Sequence, residues 1–243
     1  MNGKGGTGKT TVASLLVKYL VRNKKGAILA IDADPNSNLS DLLGVKGVAT
    51  MSCAIDDVAK NMDKIPAGMT KERFIDMRVH ETLHEEKDFD LLVMGRPEGP
   101  GCYCYVNSLL REMTARMTKN YDFVVIDNAA GMEHISRKTT RTIDKLILVA
   151  DCSAIGIRSA KRIYELAREL GINMGKVFLV VNKLTGTVGA LKGEIDKSGL
   201  SLAGAIPYDT ELEKASLSER PIFELKSEAV GSAVEKIFKV IME

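Results

Sequence analysis

"MNGKGGTGKTT", residues 1–11, is the stretch that decides the fold. Gly3, Gly8, Lys9 and Thr10 fill the fixed positions of G-x-x-x-x-G-K-[ST], the phosphate-binding loop. The residue types follow from the anion they serve. Glycines, here with Gly5 and Gly6 among them, let backbone N–H groups close around phosphate oxygens, and a helix beginning behind the loop aims its positive end at the same charge. Lys9 would reach the β- and γ-phosphates, and the Thr10 hydroxyl would ligate Mg²⁺. Thr7 and Thr11 belong to the same stretch and complete the expected nucleotide contacts. A chance glycine-rich turn would not match all four fixed positions and also lead into helical spacing over residues 10–23.

Working outward, a phosphate loop should follow a buried strand, yet only Met1 and Asn2 stand before this one. The reading therefore expects the first central strand to be absent from this sequence. A longer form would carry about 5–6 further apolar residues at its front.

Downstream, short apolar runs alternate with helical patterns. Residues 27–32 (AILAID), 89–94 (FDLLVM), 122–127 (DFVVID), 145–150 (KLILVA), 176–182 (KVFLVVN) and 201–206 (SLAGAI) read as strands. Helical spacing covers 10–23, 105–119, 155–170 and 227–242, while 44–88 is polar and reads as helical in pieces. Near-continuous apolar strands separated by helices imply a parallel sheet covered on both faces. The expected fold is a single doubly wound, mostly parallel α/β domain of the P-loop NTPase type over residues 1–243, with no internal repeat and no linker.

Composition narrows the partners. The 34 basic and 32 acidic residues are interspersed, so no clustered basic excess points to nucleic acid. Trp is absent and aromatics are 5%, too few for a base-stacking platform. No apolar run approaches the ~18 residues of a membrane span, and no basic-then-apolar leader opens the chain. A cytoplasmic location with reduced cysteines is expected, where closely spaced cysteines point to metal or redox chemistry rather than a structural disulfide.

Lys4 sharpens the phosphate loop. Residues 3–10, GKGGTGKT, are similar to the deviant loop of the ATPase family that includes MinD/ParA, nitrogenase iron protein and the arsenite-pump ATPases. "IDADPNSNLSD" (31–41) resembles that family's first switch and "VVIDNAAGMEH" (124–134) its second. The resemblance implies that Lys4 reaches across a two-fold axis to the partner's nucleotide, that Asp34 orients the attacking water, and that Asp127 holds Mg²⁺ through water. It also implies that Asn182, in "VVNK", and Pro207 and Asp209, in "PYD", grip adenine. Each segment sits at an expected strand end, where open α/β sheets bind ligands.

"EGPGCYCYVN" (98–107) supplies the remaining chemistry. Cys102 and Cys104 provide two thiolates on a short loop after a strand, at an expected helix N-terminus that favours the thiolate form. A thiolate-held divalent metal wants about four ligands. In a two-fold dimer, symmetry would bring a second pair to the axis, and four sulfurs would enclose one shared metal. A lone C-x-C is a modest signal, and two buried small hydrophobes is the plainer alternative. With the phosphate loop and both switches, however, this loop closely resembles the CooC type of nickel-inserting ATPases, which mature carbon monoxide dehydrogenase, and their relatives acting on acetyl-CoA synthase. The resemblance implies an ATP-hydrolysing metallochaperone that forms a homodimer with ATP, carries Ni²⁺ as cargo (Zn²⁺ could substitute), and serves a client nickel enzyme. Two other classes remain open: a partitioning ATPase of the MinD/ParA kind and an electron-transfer ATPase with a shared iron–sulfur cluster. Cys53 and Cys152 match no ligand pattern.

Two further stretches invite alternatives. "VHETLHEE" (79–86) contains His80-Glu81-x-x-His84, formally a zinc-protease motif whose histidines would share one face of a helix. A hydrolytic zinc needs a third ligand, and the only other histidine, His134, lies in the second switch. The C-terminal "SAVEKIFKVIME" is amphipathic but mixed in charge, so it reads as a core-packing helix rather than a membrane anchor.

Overall fold

The computed structural model describes residues 1–96, 112, 115–131, 142–218 and 220–243. Cys102, Cys104, His134 and most of the helix expected over 105–119 lie outside these residues.

Among the described residues eight strands are formed: β1 (Asn2–Gly3), β2 (Ile28–Ala33), β3 (His84–Glu85), β4 (Asp90–Val93), β5 (Phe123–Asn128), β6 (Thr142–Asp151), β7 (Asn173–Leu184) and β8 (Ser201–Pro207). They lie in the orders β3-β4-β2-β5 and β1-β6-β7-β8, with every pairing parallel except β3 with β4. Met1 joins the two halves. Its amino group donates to the Ile126 carbonyl at 2.5 Å, and its own carbonyl accepts the Asn128 side-chain amide at 3.0 Å. On the far side Asn2 pairs with Leu148 and Gly3 with Val149. The position ahead of the phosphate loop is thus held by a two-residue strand, and among the described residues no longer strand bridges β5 and β6.

Helices cover both faces because alternate strand residues are apolar in both directions. On one face α1 (Lys9–Arg22) and α8 (Glu228–Met242) pack over Ile28, Ala30, Leu91, Val93, Ile147 and Val149. The Tyr19 and Phe238 rings meet there at 5.5 Å between centroids. On the other face α3 (Met51–Lys60) and α4 (Lys71–His80) cover Leu29, Ile31 and Leu92. Beyond them α5 (Ala154–Glu169) and α6 (Lys192–Ser198) cover Leu146, Leu148, Leu179 and Val181. Two shorter helices, α2 (Leu39–Leu43) and α7 (Thr210–Leu217), stand at the carboxyl ends of the strands. Side-chain oxygens start five of these helices, with Thr50, Thr70, Ser153, Asp209 and Ser227 each accepting a backbone N–H of the first turn.

The expected strands are all present, and β6 and β7 begin three residues earlier than their apolar runs. Thr142 pairs with Asn173 and Ile143 with Met174 at the margin of the core, where exposed polar residues alternate with partly buried apolar ones and the continuous apolar run is lost. The C-terminal helix packs inward as expected, burying Val230, Val234, Ile237, Phe238 and Ile241.

One expectation is corrected. His80 and His84 do not share a helix face, because α4 ends at His80 and His84 belongs to β3. The N–H of Ala49 donates to His84 Nε2 at 2.9 Å. The chain breaks here because the Thr82 hydroxyl turns back onto the Val79 carbonyl at 2.7 Å, closing the last turn before the antiparallel pairing of β3 with β4.

Candidate nucleotide-binding site

The loop after β1, the ends of β2, β5 and β7, and helix α7 meet at one end of the sheet. A cavity of about 540 Å³ there is lined by Gly5, Gly6, Lys9, Thr10, Asp34 and Asn38 among others. A second cavity, about 160 Å³, lies between Asn182, Pro207, Asp209, Leu212 and Leu217. Gly8, Thr11, Lys183, Ser216 and Leu217 line both, so the two are compartments of one cleft. The larger is polar and suits phosphates, and the smaller is walled by Pro207, Leu212 and Leu217 and suits a flat apolar group.

Close packing requires two of the loop glycines. A Cβ on Gly3 would stand 2.3 Å from the Val149 carbonyl oxygen across the β1–β6 ladder. A Cβ on Gly8 would stand 2.3 Å from Asn182 Nδ2, and Gly8 also takes φ +83° at the start of α1, a region that costs other residues. Lys9 is buried to 7% exposure, and its ammonium lies 3.5 Å from the Lys4 carbonyl, which also accepts the Thr7 hydroxyl at 2.9 Å. The Lys4 residue itself is exposed.

Asp127, near the end of β5, is fully buried, and among the described residues neither carboxylate oxygen meets a hydrogen-bond partner. Burial raises its pKa. The nearby Thr10 hydroxyl, the amino terminus and Lys9 oppose that rise. A buried carboxylate left this way is costly unless a cation or ordered water satisfies it. A hydrated Mg²⁺ is such a partner, so the residues fit the group.

Asp34 lies on the loop after β2, its Oδ1 accepting the Asn36 backbone N–H at 2.9 Å and side-chain amide at 3.0 Å. Beside it stands Asp32, fully buried, which the sequence reading passed over. Asp32 accepts the Asp34 N–H at 3.0 Å on Oδ1 and the Leu39 N–H at 2.9 Å on Oδ2, fastening both ends of the loop. Its signal was present as the D-x-D spacing in "IDADP", two acids together at an expected strand end, where open α/β sheets bind ligands.

Asn182 is buried at the end of β7. Its Nδ2 donates to the Thr7 carbonyl at 2.9 Å, and its Oδ1 has no partner. Asp209 lines the smaller cavity, with one oxygen accepting the Leu212 N–H at 2.9 Å and the other the Ser227 hydroxyl at 2.7 Å. Although burial alone would raise its pKa, these bonds hold it below the usual carboxylate value. The structure thus brings Gly5, Gly6, Gly8 to Thr11, Asp34, Asn182, Pro207 and Asp209 to the walls of one cleft, with Asp127 buried beside Thr10 and Lys9. Cys102 and Cys104 lie outside the described residues. Among the described residues no group of three or more His, Cys, Asp or Glu is placed to hold a metal ion.

The model of the CobQ/CobB/MinD/ParA nucleotide-binding domain matches residues 1–222. The chain belongs to this family. As a MinD/ParA-type P-loop ATPase it is 42% identical over 246 residues to an ATP-binding protein of Methanocaldococcus jannaschii, covering 100% of this chain and 97% of that one. It is also 29% identical over 245 residues to the carbon monoxide dehydrogenase accessory protein CooC of Rhodospirillum rubrum, covering 93% and 89%. In fold it matches the septum site-determining protein MinD of Pyrococcus horikoshii, solved with Mg-ADP, at a TM-score of 0.70, 20% identity and coverage of 99% and 93%. The MinD-like ATPase fold expected from the phosphate loop is therefore the fold found. No described helix of this MinD/ParA-type ATPase is long and apolar enough to cross a membrane.

Proposed function

We propose that this ATPase is a cytoplasmic metallochaperone: ATP closes a homodimer, Cys102 and Cys104 of both subunits enclose a nickel ion, and hydrolysis opens the site to a client nickel enzyme. The ATP half rests on one observation above the rest, the buried and unpartnered Asp127 carboxylate beside Thr10 and Lys9. Thr10 and Asp127 would hold Mg²⁺, whose charge offsets that of the phosphates when bound. Lys9 and Asp34 both line the phosphate cavity, where Asp34 would orient the attacking water. Water adds to the γ-phosphorus, the bond to the bridging oxygen breaks, and ADP leaves with that bond's electron pair while the water's proton passes to the released phosphate. Exposed Lys4 would act on the partner's nucleotide.

Asn182 supports adenine over guanine. With Nδ2 committed to Thr7, the free Oδ1 can only accept, and it would pair with the exocyclic amine of adenine and repel the carbonyl that guanine carries there. Pro207 and the backbone near Asp209 would flank the base.

The nickel half rests on the Cys-x-Cys loop and on the 29% identity with CooC, whose name ties that protein to carbon monoxide dehydrogenase. A client of that kind, or an acetyl-CoA synthase, is the matching substrate enzyme. A dimer-only thiolate site makes metal and ATP favour the same closed state, so each tightens the other. Zinc would occupy the same four sulfurs. Gel filtration with ATP, nickel, both and neither tests the reading. One metal per two chains, abolished by Cys102→Ser/Cys104→Ser, is expected; metal held at full strength by a monomer would overturn it. The partitioning alternative draws on the MinD-like fold, but the apolar face of α8 is buried against α1 and β8 and is not free for lipid. Co-sedimentation with vesicles or DNA would revive it.

A further inference from the structure

Successive residues of a strand point to opposite faces, yet Asn182 and Lys183 both reach the phosphate loop. Asn182 Nδ2 donates to the Thr7 carbonyl at 2.9 Å, and Lys183 Nζ donates to the Gly6 carbonyl at 3.3 Å. The cause is a break in the β7–β8 ladder. Val181 pairs with Ala205 and Leu184 with Pro207, so two residues of β7 stand opposite the single Ile206. Such a bulge re-aims a side chain at the cost of local pairing. Lys183 takes φ +56° to do so, in the left-handed region where a non-glycine residue is strained.

We infer that Lys183 is a positioning residue that fastens the phosphate loop in its anion-binding shape and links it to the base compartment. The two carbonyls it and Asn182 engage are consecutive in the loop. Because each peptide unit is planar and trans, turning the Thr7 carbonyl toward β7 turns the Gly8 N–H the other way, while the Thr7 N–H is held inside the loop by the Lys4 carbonyl at 3.5 Å. An N–H aimed away from β7 is what a phosphate in the loop needs. Left-handed Gly6 (φ +79°) and Gly8 (φ +83°) permit that arrangement, and the two side chains from β7 hold it. Lys183 also lines both compartments, and its ammonium, held on the Gly6 carbonyl, adds positive charge beside the phosphate loop. The strained backbone is retained because relaxing it would withdraw the ammonium from Gly6.

This inference rests on the nucleotide site proposed above, and its test separates the two. Affinity for ADP and a non-hydrolysable ATP analogue, with kcat and KM for ATP, would be measured for wild type, Lys183→Met, Lys183→Gly, Lys183→Arg and Lys9→Ala. Lys183→Met should weaken both nucleotides about 10-fold, the size expected for one charge-assisted hydrogen bond, chiefly in KM. Lys183→Arg, which keeps a donor, should recover most of that loss. Lys183→Gly should melt no lower than wild type, since glycine accepts the left-handed backbone, and still bind as weakly as Lys183→Met. Wild-type affinity in Lys183→Met and Lys183→Gly with binding lost in Lys9→Ala would overturn the role of Lys183 and leave the site standing. Unchanged affinity in all the variants, Lys9→Ala included, would overturn the site reading and this inference with it.

Discussion

Asp32 accepts the backbone N–H of Asp34 at 3.0 Å, so a fully buried carboxylate sets the position of the half-buried one that faces the phosphate cavity. Burial is the largest influence on Asp32 and pushes its pKa up to about 7, against the pull of the two N–H donors from Leu39 and Asp34. The sign of its effect on stability follows. Between the ordinary value of 3.8 and about 7 the unfolded side chain is ionised and the folded one is not, so unfolding releases a proton and stability falls as pH rises. Across that window the loss is on the order of 4 kcal/mol, and above it the contribution is flat. Urea denaturation of the nucleotide-free protein at pH 5 and pH 7.5 should show this decline. Asp32→Asn should show a shallower one and a lower turnover, because its amide turns an N–H toward one of two N–H donors. An equal decline in both proteins would remove Asp32 as the source.

Gly8→Ala should lose nucleotide binding and destabilise the fold together. The added Cβ meets Asn182 Nδ2 at 2.3 Å, and the left-handed backbone at φ +83° costs alanine more. A destabilisation of about 1–3 kcal/mol is expected by chemical denaturation. Gly6→Ala makes the comparison informative: Gly6 shares the positive φ but has no atom within 4 Å of a built Cβ, so it should cost less. Equal effects would show that backbone strain alone, not the Asn182 contact, sets the loss.

The sheet was legible because its signal is redundant. Ile28 to Ile31, Leu91 to Val93 and Leu146 to Ala150 are buried on both faces, and a buried parallel strand reads as an uninterrupted apolar run. The phosphate loop was legible because its glycines and lysine answer to a ligand rather than to packing. Three things were not. The break after His80 depends on the Thr82 hydroxyl finding the Val79 carbonyl, a local bond that competes with the helix without altering the hydrophobic pattern. Asp32 resembled any strand-end acid, because its role is to accept two loop N–H groups that only the folded chain brings to it. Lys183 was hidden by alternation: beside inward-facing Asn182 it should point away, and only the mismatch with β8 turns it back.

The histidines give a clean separation of site from surface. His80 is the last residue of α4 and is exposed, while His84 Nε2 accepts the Ala49 N–H at 2.9 Å in β3. His80→Ala and His84→Ala should each leave nickel stoichiometry per dimer unchanged, measured by equilibrium dialysis with metal analysis. His84→Ala should cost up to about 1 kcal/mol, since it removes an acceptor from an exposed N–H that water can satisfy. A halved nickel content in either variant would assign these residues to the cargo site.

The two lysines of the phosphate loop should fail in different ways. Lys9 is buried to 7% exposure in the wall of the phosphate cavity, and among the described residues its ammonium pairs with no carboxylate and meets the Lys4 carbonyl at 3.5 Å. A buried ammonium so weakly satisfied is paired when phosphate arrives, so Lys9→Ala should weaken ATP and ADP binding by about 100-fold or more. Lys4 is exposed in the single chain and serves its own cavity through its backbone carbonyl, which alanine keeps. Lys4→Ala should therefore bind nucleotide with nearly wild-type affinity while losing hydrolysis, the pattern of a group engaged only across the dimer. Mixing inactive Lys4→Ala with a second inactive variant, Asp34→Ala, sharpens the point. If Lys4 acts on the partner's nucleotide, a heterodimer has one composite site that keeps both an intact Asp34 and a Lys4 donated in trans, so activity should reappear on mixing. Wild-type turnover in Lys4→Ala alone would show that each protomer hydrolyses ATP with its own residues.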